Sequence, residues 1–219
     1  MKIYDISVAV PNAPVYPGDP ATEIHRAASI SDGSMCNVTA VSMCVHAGTH
    51  ADAPLHFIDG APSIDSLDPQ IFCGKARIVT VYKKEGQIEA DDLKPLDIKR
   101  GERLLFKTRN SIDGHVADRN FYMDFCAFAP SAADYLAERG VALVGIDYAS
   151  IGAGDNTQAT HKILLGAGMG ILEWLNPGAV SDGEYFLSAA PLKIAGAEGA
   201  PVRALLFECN YSNSIKERE

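Results

Sequence analysis

Ser131-Ala132-Ala133-Asp134-Tyr135-Leu136-Ala137-Glu138-Arg139-Gly140-Val141-Ala142-Leu143-Val144-Gly145-Ile146-Asp147 is the stretch that decides the fold class. Ser131 with Asp134 three residues on makes a helix-capping pattern, and Gly140 supplies the stop, so residues 131–139 read as a helix. Val141 to Asp147 is a near-continuous apolar run and reads as a buried strand. A helix, a short glycine turn and a buried strand in that order signal an α/β fold.

Upstream of this unit, Lys75 to Tyr82 and Arg103 to Thr108 read as strands, and Ala90-Asp91-Asp92-Leu93 begins a short helix. Arg109 to Asn120 is polar and turn-rich, a surface or active-site-rim loop. Residues 3–9 form a first expected strand, followed by a loop punctuated by Pro11, Pro14, Pro17 and Pro20. Residues 22–30 and 36–45 are an expected strand pair joined by Ser31-Asp32-Gly33-Ser34. Asp59-Gly60 and Pro62 mark turns, and Ser66 to Pro69 a short helical turn. Downstream, a loop with Gly152, Gly154 and Asp155 leads to a helix through Ala159 to Leu165. Gly168 to Gly170 break it, and Ile171 to Leu175 reads as a strand. Glu184 to Ile194 and Val202 to Glu208 supply two more, and Ser212 to Glu219 is a polar, frayed end. With no internal repeat, linker or low-complexity segment, one domain over residues 1–219 is expected.

Composition narrows the function classes. A chain of 219 residues with 47% hydrophobic and 21% charged residues is ordinary for a globular enzyme with a sizeable core. A net charge of −9 with no Lys/Arg-rich run argues against nucleic acid or an anionic membrane as partner. Cys36, Cys44, Cys73, Cys126 and Cys209 are odd in number and widely spaced, which suits small buried hydrophobes in a reducing compartment. Met1 to Asp5 carries no apolar signal segment and no run is long enough to span a bilayer, so the cytoplasm is expected.

The chemistry concentrates in His46-Ala47-Gly48-Thr49-His50-Ala51-Asp52-Ala53-Pro54-Leu55-His56, which holds three of the six histidines. His46 and His50 are spaced for one helix face, but Gly48, β-branched Thr49 and Pro54 oppose a helix. Cys36 to Val45 is rich in Val, Thr, Met and Cys, so the motif reads as the end of a buried strand entering a tight loop. A single loop histidine is explained by ordinary hydrogen bonding. Three histidines and an aspartate, spaced by Gly, Pro and Ala, point instead to a divalent ion such as zinc, manganese or iron. Tyr16-Pro17-Gly18-Asp19 is a strong turn signal. His25 reads as structural, and His115 as a rim or solvent histidine.

The run His-x-Gly-Thr-His-x-Asp-x-Pro-x-His resembles the signature of the metal-dependent cyclase family, which includes bacterial kynurenine formamidases and isatin hydrolases. Gly145-Ile146-Asp147 with Ser150, and His161 with Glu173, also resemble family segments. The resemblance implies that His46, His50 and Asp52 hold one ion, and that Asp52 bridges to a second held with His161 and Glu173. His56 is then a general acid/base outside the ligand set, and Tyr16 lies beside the substrate where many kynurenine formamidases carry Trp. A divalent ion with two neutral imidazoles and one carboxylate keeps positive charge, which stabilises bound hydroxide as a nucleophile.

The implied protein is a single α/β domain resembling the swivelling β/β/α fold of the family. It is a homodimer or tetramer in which the Tyr16 loop reaches a neighbour's site. It uses one or two zinc or manganese ions to hydrolyse a small-molecule amide, arylformamide-like or cyclic. A lactone hydrolase with the same site, and a non-catalytic metal-binding protein, are the alternatives. A Cys-dependent hydrolase through Cys44 or Cys126 lacks a nucleophile motif.

Overall fold

The computed structural model describes residues 1–208. The chain contains, in order, β1 (Ile3–Asp5), β2 (Glu23–Ala28), β3 (Val38–Ser42), β4 (His50–Asp52), β5 (Cys73–Thr80), α1 (Ala90–Leu93), β6 (Arg103–Lys107), α2 (Arg109–Ile112), α3 (Pro130–Arg139), β7 (Leu143–Ile146), α4 (Thr157–Gly166), β8 (Gly170–Glu173), β9 (Gly183–Ser188), β10 (Gly199–Pro201) and β11 (Leu205–Glu208). Among the described residues, nine strands make one mixed sheet in the order β1-β11-β9-β5-β6-β7-β8-β4-β10. Its centre, β5 to β8, is parallel, and both flanks are antiparallel. The α/β class expected from residues 131–147 is the fold observed.

Why the central strands read as unbroken apolar runs is visible in their alternation. Leu104, Phe106, Val144, Ile146 and Ile171 face one cluster, shared with Leu136 of α3 and Leu164 of α4. Leu105, Leu143 and Leu172 face the other side. Both faces are therefore covered, as parallel strands require. The second cluster also takes Ala51 from β4, Ile78 from β5, Leu187 from β9, Ala200 from β10 and Leu206 from β11. One core touched by strands from both flanks means that the sheet curls around it.

Several expectations need correction. The helix begins one residue early, with Ala129 as N-cap and Pro130 at its first position, where a missing N–H costs nothing. Ser131 instead accepts from the Ala90 amide and donates to Glu89, tying α3 to α1. The first strand stops at Asp5, because the Asp5 carboxylate turns back to accept the Ser7 amide. Residues 36–45 are not a buried strand leading into the motif. Only Val38–Ser42 is extended, every residue of it exposed, and its strand partner is β2. The motif is more than a loop, since its middle, β4, is a buried strand between β8 and β10.

The 109–120 segment is not wholly surface. Arg109 and Asn110 are buried in α2, where Asn110 bonds Cys126 and Asp147. β10 was not anticipated, and the last two expected strands shorten to β9 and β11. Cys36 is exposed and Cys44 and Cys73 are half-buried, so only Cys126 behaves as a buried hydrophobe; all four are free. Cys209 and the polar end Ser212 to Glu219 lie outside the described residues. Among those described, no helix is long and apolar enough to cross a membrane.

Candidate metal centre

In a strand, residues two apart share a face, so β4 sends His50 and Asp52 to one side and Ala51 into the curled core. Antiparallel pairing of β4 with β8 sets His50 directly opposite Glu173. Helix α4 runs back over the end of β8 and lowers His161 onto the same point. His46 arrives from before the strand, across Gly48, which turns the chain at φ +65. A side chain at Gly48 would strike Val10 at 2.7 Å, and one at Gly199 would strike the His46 ring at 2.8 Å. Both glycines are needed for the backbones to close around the centre.

The distances divide these residues into two sets that share Asp52. One Asp52 oxygen, Oδ1, lies 3.0 Å from His46 Nδ1 and 3.4 Å from His50 Nε2. The other, Oδ2, lies 3.7 Å from His161 Nε2, which is itself 3.2 Å from Glu173 Oε1. Glu173 Oε2 reaches back to within 3.3 Å of His50 Nε2. His46, His50 and Asp52 form one group spaced to hold a metal ion, and Asp52, His161 and Glu173 another. The structure thus brings together the five residues that the family resemblance implies as ligands.

The ring tautomers suit ligation. His50 Nδ1 donates to the Gly48 carbonyl at 2.8 Å, and His161 Nδ1 to the Thr157 carbonyl at 2.7 Å. Both Nε2 atoms are left facing the carboxylates, the usual arrangement when a second partner orients a metal-binding imidazole. Ile151 N–H fixes Glu173 Oε1 at 2.7 Å. By contrast His46 Nε2, His50 Nε2 and both Asp52 oxygens are buried with no hydrogen-bond partner. His50 Nε2 and the two Asp52 oxygens are three orphaned polar atoms around one point, while His46 Nε2 faces outward, 3.6 Å from Glu198 Oε1. A cation satisfies the three, and the donor set fits a divalent ion.

The electrostatics say the same. Two buried carboxylates repel, and positive charge must sit between them. Without an ion, imidazolium supplies it. Burial presses the His50 ring down, but Asp52 and Glu173 outweigh it and push its pKa up to about 10. His161 moves up likewise against its burial, chiefly through Glu173. Burial would raise Asp52, yet His46 and His50 hold it well below the usual carboxylate range.

His56 behaves differently. It sits on the turn after Pro54, stacked on His46 with centroids 4.0 Å apart, and belongs to neither ligand group. Burial, with His46 and His161 nearby, lowers its pKa against the pull of Asp52. A cavity of about 180 Å³ opens over the centre, lined by Tyr16, Asp19, His46, His56, Phe57, Ala149, Ser150, Thr157, His161 and Glu173. Tyr16 therefore lines the site of its own chain, edge-on to Phe121 at 5.4 Å.

Phe57, Thr157 and Asp19 were not foreseen. Thr157 could have been, since it lies one helical turn before His161 on the same face. Phe57 stacks on the His161 ring at 4.1 Å, and no sequence pattern announces it. His25 is exposed on β2, and His115 stacks on Tyr122 away from the centre. Burial pushes the Cys126 thiol up to about 11 and raises Cys44, which removes the thiolate a Cys nucleophile needs.

A chain with this mixed sheet and this His/Asp/Glu centre has the build of a metal-binding α/β hydrolase. The Cyclase family model matches residues 4–153, and the chain belongs to that family as one of its hydrolases. It is 36% identical over 209 residues to a kynurenine formamidase of Bordetella petrii, covering 94% of this chain and 98% of the relative. It is 37% identical to cyclase-like protein 1 of Arabidopsis thaliana, covering 94% and 85%. A solved structure described as a potential metal-dependent hydrolase with cyclase activity superposes with TM-score 0.81 at 34% identity, covering 94% and 96%. The fold is shared too by an isatin hydrolase bound to thioisatinate, with TM-score 0.80, 24% identity and coverage of 94% and 91%.

Proposed function

We propose that this single domain hydrolyses a C–N amide bond in a small molecule, an aryl formamide or a fused cyclic amide, with zinc or manganese as cofactor. The observation that carries the reading is the pair of ligand groups sharing Asp52, set beneath a cavity that His56 and Tyr16 also line. The formamidase relatives point to the same bond. When bound, a divalent ion polarises the carbonyl and lowers the pKa of coordinated water, the source of a nucleophile at neutral pH.

The chain's residues do the rest. His46, His50 and Asp52 would hold the first ion, and Asp52, His161 and Glu173 would hold a second. His56, outside both groups and lowered in pKa, is neutral at pH 7, so it first takes a proton from the attacking water and then passes it to the leaving amine. Tyr16, backed by Phe121, gives a planar aryl group a face to stack on. Lactone hydrolysis on the same centre is the second reading, because a metal that polarises an amide carbonyl also polarises an ester. Turnover of a panel of aryl formamides, cyclic amides and lactones by metal-free protein reloaded with zinc or manganese separates the two.

The protein is also proposed to be a homodimer or tetramer. Its β2–β3 hairpin is extended and exposed along both strands, with Ile24, Met35, Val38 and Val41 facing outward. Isolated two-stranded hairpins are marginal in water. Light scattering of the purified protein tests this directly, and a monomer at working concentration refutes it.

A further inference from the structure

The residue after Glu173 is Trp174, whose backbone lies in the left-handed region at φ +54. A bulky aromatic is strongly disfavoured there and persists only where its surroundings hold it. Three contacts do so. Its N–H donates to the Tyr148 carbonyl at 2.8 Å, its indole is buried against the Tyr148 ring at 4.8 Å, and its carbonyl accepts the Thr49 hydroxyl at 2.5 Å. Thr49 in turn accepts the Val8 amide at 2.7 Å.

The left-handed turn has a geometric consequence. It ends β8 at Glu173, so Glu173 is the last residue in register with β4 and lies opposite His50. Past the turn the chain keeps its contact with β7, beside which β8 already lies, and Leu175 N–H meets the Ile146 carbonyl at 3.1 Å. If Trp174 relaxed to an extended conformation, the strand would run on and the Glu173 carboxylate would lose the angle that carries it between His50 and His161. Thr49 is placed to prevent this. It precedes His50 in the chain, and its hydroxyl grips the residue that follows Glu173, so one side chain ties a ligand of each group together.

We propose that Thr49 is a positioning residue for the second ligand group, acting through the left-handed Trp174 backbone to aim Glu173. It leaves the His46–His50–Asp52 group to form without it. The inference rests on the metal reading above. The hydroxyl is the active part, because it alone can donate to the Trp174 carbonyl while accepting from Val8. A valine has the same shape and neither capacity, and it would leave the buried Trp174 carbonyl and the half-buried Val8 amide without this partner.

The chain offers an internal reporter, since Trp174 is its single tryptophan. Metal-free protein is titrated with zinc or manganese by calorimetry and by tryptophan emission, with Glu173→Gln identifying the step that depends on Glu173. In Thr49→Val that step should weaken by about 10- to 100-fold, the usual cost of losing a group that orients a metal ligand. The Glu173-independent step should stay in place. Thr49→Ser should restore wild-type titration and Thr49→Ala should match Thr49→Val, which keeps the test decisive if the valine variant folds poorly. A hydroxyl-free variant that titrates like wild type, or one that weakens both steps equally, overturns the proposal. A wild type with no Glu173-dependent step breaks the second metal site itself and takes the proposal with it. That result is distinguishable, because it appears before any Thr49 variant is made.

Discussion

The two proposed ligand groups of the centre are built in opposite ways. His46, His50 and Asp52 come from one short piece of chain, in which a glycine turn and a three-residue strand suffice to bring them together. His161 and Glu173 come from a helix and the strand that follows it, and meet Asp52 only because β4 inserts beside β8. The first group is a local property of the chain, and the second depends on the tertiary fold. Asp52, with one oxygen facing each, joins them.

Removing the joint has the largest expected effect. Asp52→Ala should lose most of the metal and all activity, because both groups lose a ligand together. Elemental analysis and turnover on the same preparation check this, and full occupancy with full activity would sink the assignment. His56→Ala comes next. It should keep the metal and lose turnover by about 10²–10⁴-fold, the usual range for a missing general acid/base. Loss of metal in that variant would make His56 a ligand and favour a closed, non-catalytic binding site. His161→Ala and Glu173→Ala should be milder in metal content, lowering occupancy while the local group keeps its ion. Equal, complete loss in all three ligand variants would erase the distinction between the groups.

The same contrast explains how much was legible beforehand. The α/β class followed from residues 131–147 because both periodicities, helix and buried strand, are local. His46, His50 and Asp52 are visible because the motif compresses them. His161 and Glu173 are a helical histidine and a lone glutamate with nothing local to connect them; only resemblance to a family picked them out. Phe57 and Gly199 escaped altogether, since each matters through a neighbour distant in sequence: the His161 ring for one, the His46 ring for the other. The misreading of residues 36–45 has the same origin. Val, Met and Cys suggested burial, whereas the pairing with β2 carries the segment away from the main sheet.

Proton linkage sharpens the comparison further. In metal-free protein the folded-state pKa of His50, about 10, lies above its ordinary value of 6.5. A raised pKa means that the folded state holds the proton more tightly, so its stabilisation is complete below about pH 6.5 and fades as pH climbs toward 10. Metal binding must displace that proton, so affinity should rise across the same window. Thermal melts of chelator-treated protein from pH 6 to 10 should fall with pH, in the absence of metal, more steeply than those of His50→Gln. Matching slopes would remove His50 as the source.

The smallest expected effect lies at the cavity mouth, where neither ligand group reaches. Tyr16 is half-buried, held edge-on by Phe121, and faces the same cavity as His56. A ring already fixed by a neighbour loses little freedom when an aryl substrate stacks on it, so the gain is on the order of 1 kcal/mol, about fivefold in kcat/KM. Tyr16→Ala should erase a preference of that size for aryl over aliphatic amides while leaving metal content and slow aliphatic turnover unchanged. Tyr16→Trp should keep the preference, since indole offers at least the same face. If wild type and Tyr16→Ala discriminate equally, the aryl specificity comes from elsewhere in the cavity. If wild type shows no aryl preference at all, or favours lactones throughout, the amide reading falls and the metal centre survives it.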